Sequence, residues 1–205
     1  MGLKQTGLNQ TGLKQTGQTT KLGVLASGRG SNFQSIQKEI ESGTLDAEIS
    51  VLISDRPQAP ALEIARNHGI HAHALPYDRN DREQFERAAA DLLEAHRCEW
   101  IILAGFMRIL TPWFIQRFQN RILNIHPSLL PAFKGLHPQR QALEAGVKVS
   151  GCTVHLVTRD LDAGPILVQH VVPVLPDDTE ATLAARILVE EHRAYPEAIR
   201  QLQAG

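Results

Sequence analysis
The chain has 205 residues, 42% hydrophobic and 21% charged, with 15 Gly and 11 Pro, which fits one globular domain with a sizeable core and excludes a collagenous or wholly disordered chain. Its 21 Lys and Arg against 22 Asp and Glu leave a net charge of −1, so no basic excess points to nucleic acid or an anionic membrane surface. The longest apolar stretch, residues 100–107, is too short to cross a bilayer, and two cysteines, Cys98 and Cys152, make neither a disulfide framework nor a four-ligand zinc site. A reducing, cytoplasmic setting is expected.

Residues 1–20 differ from the rest. Gly2, Gly7, Gly12 and Gly17 recur every five residues, a period that matches neither helix nor strand. A flexible, low-complexity tail is expected there, and residues 21–205 are expected to form one catalytic domain. A targeting peptide is disfavoured: the tail lacks Arg, has no apolar segment, and its glycines spoil an amphipathic helix.

From residue 21 strands and helices alternate. Strands are expected over residues 21–26, 47–54, 70–74, 99–103 and 121–125, with helices over 33–41, 60–68, 81–96 and 112–118. Pro60 suits a first helical turn, and the apolar run at 99–103 suits a buried parallel strand. A helix over 139–145 precedes two alternating segments, 150–157 and 166–174, which read as a final antiparallel pair. A long helix over 179–201, interrupted at Pro196, closes the chain. This is the pattern of an open, mostly parallel α/β sheet with flanking helices, in which ligands bind beyond the carboxyl ends of the strands.

Three loops carry candidate chemistry. In the first, Gly28, Arg29, Gly30, Ser31 and Asn32 lie between a strand and a helix. Glycines and free N–H groups at a helix start suit a phosphate; the plainer reading is a tight turn capped by Ser31 or Asn32. A Gly30→Val side chain is expected to obstruct the anion. In the second, Asn124 and His126 are two apart, so a strand points both to one face. Together they could polarise a carbonyl and move a proton, or be a satisfied core histidine and its neighbour. In the third, Asp162 precedes Gly164-Pro165 and is either an ordinary turn residue or a carboxylate delivered to that histidine.

The ordered set Ser27–Asn32, Leu103–Leu110, Asn124–Pro131, Gly135–His137, Gly151–His155, Asp162–Pro165 and Glu191–His192 resembles the phosphoribosylglycinamide formyltransferases, folate-dependent enzymes of purine synthesis. The resemblance runs from about residue 21 to 202. One departure is that Pro138 and Gln139 follow His137, where members often carry a second His.

The resemblance implies formyl transfer from 10-formyltetrahydrofolate to the amine of N1-(5-phospho-D-ribosyl)glycinamide, with Asn124, His126 and Asp162 catalytic and no metal. It also implies substrate phosphate on Gly28, Arg29, Gly30, Ser31 and Asn32, and ribose at Glu191. Folate would lie against Arg82, Met107, Arg108, Ile109, Leu110 and Asn124. A cis Leu130–Pro131 bond is implied too. Partners are expected to be small molecules, without nucleic acid or membrane, in a monomer or homodimer. Rival readings are formyltetrahydrofolate hydrolase and methionyl-tRNA formyltransferase, each of which carries a further domain, and a nucleotide-binding module that uses only the glycine loop.

Overall fold
A computed structural model describes residues 19–204; the expected tail lies almost wholly outside the described residues. Thirteen elements alternate along this stretch: β1 (Thr20–Leu25), α1 (Ser31–Glu41), β2 (Ala47–Ser54), α2 (Pro60–Asn67), β3 (His71–Ala74), α3 (Arg82–Ala95), β4 (Trp100–Leu103), α4 (Pro112–Arg117), β5 (Ile122–His126), α5 (Pro138–Glu144), β6 (Val149–Leu156), β7 (Ile166–Pro173) and α6 (Glu180–Ala204). The seven strands form one sheet in the order β3-β2-β1-β4-β5-β6-β7. The first five are parallel neighbours, and β6 runs antiparallel to both β5 and β7. Antiparallel pairing therefore begins one strand earlier than the expected last pair.

The short period of the strands puts apolar residues on both faces, and each face has its own core. Leu22, Val24, Leu52, Leu123 and Val154 pack with Phe33 and Ile36 of α1 and with Leu183, Ile187 and Ile199 of α6. Leu25, Val51, Ile53, Ile101 and Leu103 pack on the other side with Phe85 and Leu93 of α3 and Phe114 of α4. Strands buried on both sides need apolar residues throughout, which is why β4 reads Trp-Ile-Ile-Leu without alternation.

Helix starts follow local chemistry. Pro60, Pro112 and Pro138 occupy first turns, where a missing N–H costs nothing. The side chains of Asp81 and Thr111 accept hydrogen bonds from the N–H groups of Gln84 and Phe114. The interruption expected at Pro196 does not occur, and α6 continues through it. A mid-helix proline removes one N–H and costs roughly 3 kcal/mol. Complete burial of Ala194, Tyr195 and Ala198 beside it offsets that loss.

Tyr195 also fixes the site end of the sheet. Its hydroxyl is 3.0 Å from the carbonyl oxygens of both Leu103, at the end of β4, and Leu123, within β5. The single hydroxyl proton serves one of them at a time. Tyr195→Phe removes this buried hydrogen bond and is expected to lower stability by about 1 kcal/mol in denaturant titrations, with kcat close to wild type.

Candidate active site
The strand order reverses between β1 and β4, the place where an open α/β sheet leaves a crevice at its carboxyl edge. The loops after β1 and β4 meet there: the Ser27 hydroxyl accepts from the Met107 N–H at 2.9 Å. β5 ends beside them, carrying Asn124 and His126.

The glycine loop leads directly into α1. Gly30 is the N-cap residue, at φ 70° in the left-handed region, and no side chain caps the helix. The capping by Ser31 or Asn32 that the plainer reading supposed is therefore absent. Asn32 instead donates its amide to Glu191 Oε2 at 2.8 Å, across from α6. The first turn of α1 has no acidic residue, so its N–H groups and the positive end of the helix dipole are offered outward. Glu191 is buried, not a solvated helix carboxylate; burial raises its pKa, against the opposing pull of Asn32 and nearby His126.

At β5, antiparallel register sets Asn124 opposite His155 and His126 opposite Thr153. His155 Nδ1 is 3.0 Å from the Leu156 carbonyl, which can only accept, so Nδ1 carries the proton. Its Nε2 is then a lone pair, and it accepts from Asn124 Nδ2 at 3.3 Å. Burial lowers the His155 pKa, in keeping with that neutral tautomer. Asn124 keeps a second amide hydrogen for a ligand.

His126 is buried, and its Nε2 faces the Phe133 carbonyl at 2.9 Å. Its Nδ1 lies 3.4 Å from Asp162 Oδ2, and the other Asp162 oxygen lies 3.7 Å from His155 Nε2. The carboxylate thus sits between two imidazoles. It is held by the Gly135 N–H, which donates to Oδ2 at 2.9 Å. Asp162 adopts φ 47°, a left-handed conformation that Asp tolerates better than most residues. Two residues on, Gly164 has no room for a Cβ, which would fall 1.9 Å from the Leu156 carbonyl oxygen. The hairpin between β6 and β7 is therefore drawn tightly against the sheet and turns Asp162 inward. The Leu130–Pro131 bond is cis.

The remaining candidates divide. Arg82 opens α3, exposed to solvent. Met107 and Ile109 are exposed, whereas Leu110 packs in the core and the Arg108 side chain turns in to Asp55 at 2.6 Å. Only two of the four residues 107–110 therefore present side chains outward. Burial pushes both Cys98 and Cys152 up to about 12, so neither thiol is a ready nucleophile. Among the described residues no three His, Cys, Asp or Glu are grouped to hold a metal ion, and no helix is long and apolar enough to cross a membrane. His155 is the functional candidate that the individual loops did not reveal. Its place opposite Asn124 depends on pairing between segments 31 residues apart.

Known proteins share this architecture and align with most of this chain. The formyl transferase family matches residues 20–199. Phosphoribosylglycinamide formyltransferase of Bacillus subtilis (strain 168) is 42% identical over 183 residues, covering 89% of this chain and 94% of that one. The crystal structure of glycinamide ribonucleotide transformylase 1 from Symbiobacterium toebii superposes with a TM-score of 0.86 at 49% identity, covering 93% of this chain and 90% of that one. The human trifunctional purine biosynthetic protein adenosine-3 is 41% identical over 90% of this chain, which spans only 18% of its length. The chain belongs to the formyl transferase family and, within it, to the phosphoribosylglycinamide formyltransferases.

Proposed function
We propose that this chain transfers the formyl group of 10-formyltetrahydrofolate to the amine of N1-(5-phospho-D-ribosyl)glycinamide, in the cytoplasm, with Asn124, His126 and Asp162 as the reacting groups. The observation that carries this reading is their convergence at the carboxyl end of β5, beside the uncapped start of α1. As the amine attacks the formyl carbon, a carbon–nitrogen bond forms and negative charge develops on the formyl oxygen. The free amide hydrogen of Asn124 stabilises that oxygen. Breaking the bond to N10 of the folate completes the transfer, and the proton lost by the amine replaces the formyl group at N10.

His126 contributes charge. With Nε2 donating to Phe133 and Nδ1 facing Asp162, it is arranged as an imidazolium whose field favours the developing oxyanion. Direct proton transfer by His126 requires that one of those contacts be given up. Asp162, half-way between two imidazoles, supports the positive charge and receives the amine proton through water. The start of α1, with Gly28 to Asn32, holds the phosphate, and Glu191 takes the ribose hydroxyls. Met107 and Ile109 offer an apolar ledge to the folate ring system, and Arg82 suits its anionic glutamyl end.

One assay tests the reading: folate product formed with and without the glycinamide ribonucleotide. A transferase makes product only when the ribonucleotide is present. Release of formate without it would make the chain a hydrolase.

The two loop glycines separate fold from binding. At Gly30, φ is 70° and a Cβ would lie 2.8 Å from the Ala61 Cβ, so a side chain there meets α2 before any anion. Gly30→Val is accordingly expected to lower stability by about 1–3 kcal/mol, seen as a fall in Tm. This corrects the expectation that it acts on the anion alone. A Cβ at Gly28 meets nothing within 4 Å. Gly28→Val is expected to keep its Tm and raise the KM for the ribonucleotide several-fold, with the folate KM unchanged.

A further inference from the structure
Between Gly105 and Leu110 the chain follows no strand or helix, yet its burial alternates strictly. Gly105, Met107 and Ile109 are exposed, while Phe106, Arg108 and Leu110 are turned in. Such alternation is the behaviour of extended backbone laid on a surface. The two outer inward residues are apolar and find apolar partners: Phe106 stacks on Phe85 at 5.8 Å, and Leu110 joins the core beneath α3 and α4. The middle one is a charged guanidinium.

Asp55 receives it. The carboxylate follows directly on β2, and its side chain is completely buried. Oδ2 accepts from Arg108 Nε at 2.6 Å. Oδ1 is buried and has no partner among the described residues. The Arg108 guanidinium lies over the Tyr77 ring, 4.1 Å from its centre. Arg108, through Oδ2 alone, is thus the one side-chain partner of this carboxylate among the described residues. A buried ion pair is a poor source of stability, because desolvation consumes most of the attraction, and apolar replacements of such pairs are often neutral or better. What the pair does supply is direction. With Arg108 drawn inward, Met107 and Ile109 on either side of it must both face outward. The flanking backbone is pinned by the Ser27 hydroxyl at Met107 and by buried Glu86, which accepts from the Thr111 N–H at 2.7 Å. Between these two pins the Asp55–Arg108 pair is the only side-chain ion pair on the segment among the described residues.

We infer that Asp55 is a positioning residue for folate: through Arg108 it holds the Met107–Ile109 ledge in the orientation that receives the co-substrate. This rests on the formyl transfer reading and on the ledge being the folate side of the cleft. The Asp55 carboxylate turns to Arg108 and, among the described residues, accepts from no group of the glycine loop, so the ribonucleotide subsite is expected to depend on it little.

The test compares Asp55→Ala and Arg108→Met with wild type in three measurements: KM for each substrate, calorimetric binding of tetrahydrofolate, and Tm. Each single variant is expected to raise the 10-formyltetrahydrofolate KM and the tetrahydrofolate Kd at least about tenfold. The ribonucleotide KM should stay within about twofold, and kcat at saturating folate within about threefold. The double variant is expected to be no worse than the poorer single one, since either change releases the same strap. Should Asp55→Ala fail to fold, Arg108→Met supplies the same readout. A folded variant with unchanged tetrahydrofolate binding, or a parallel rise in both KM values, overturns the inference and leaves the transferase reading standing. Wild-type protein that binds no tetrahydrofolate overturns both.

Discussion

Asp162→Asn is expected to lower kcat at least about a hundredfold while both substrates still bind, since general acid–base contributions run to roughly 10²–10⁴ in rate. The change keeps size and shape, and the amide oxygen can still accept from the Gly135 N–H. What disappears is the negative charge 3.4 Å from His126 Nδ1 and 3.7 Å from His155 Nε2. His126 then lacks the counter-charge that suits an imidazolium, and the attacking amine lacks its proton acceptor. The proposed phosphate and folate contacts lie on other loops, so KM values should move little. The measurement is kcat with a Tm check on the same preparation. A folded Asp162→Asn enzyme with near wild-type kcat would return Asp162 to the rank of a turn residue.

Asn124→Ala should be comparably severe, for a different reason. Loss of one oxyanion donor costs roughly 10²–10³ in kcat. Here the donor is also oriented: neutral His155 takes one amide hydrogen and so directs the other. On the proposed mechanism the three groups act on one transition state, so Asn124→Ala combined with Asp162→Asn is expected to cost less than the product of the two single losses. Fully multiplicative losses would mean that the two residues serve separate steps. A loss confined to KM would place Asn124 in ground-state binding instead.

Much of this was readable in the chain. Apolar runs located β1, β2 and β4, prolines marked the starts of α2 and α4, and the two-residue spacing of Asn124 and His126 put them on one face. The legible features are local, decided within a turn or a strand. The others depend on pairings between distant segments. His155 gains its role only from antiparallel register with β5, and Asp55 gains its role only when β2 and the loop after β4 come side by side. Gly30 looked like a contact for an anion, yet its Cβ direction is set by the packing of α2. At Pro196 the local rule was overridden, because burial of its neighbours outweighs one missing hydrogen bond. Arg108 looked like part of a continuous binding segment, and only the alternation of the folded strap shows that its guanidinium turns in.

The bond from Asn32 to Glu191 spans 159 positions of sequence, and Tyr195 bridges 92 positions to Leu103 and 72 to Leu123. The proposed ribonucleotide cradle therefore takes its floor from α1 and its closing wall from α6. During synthesis the first five strands can pair in sequence, but no fragment that lacks α6 has the Glu191 carboxylate or the Tyr195 hydroxyl. The proposed ribonucleotide cradle is therefore completed only when α6 docks, after the five parallel strands have been made.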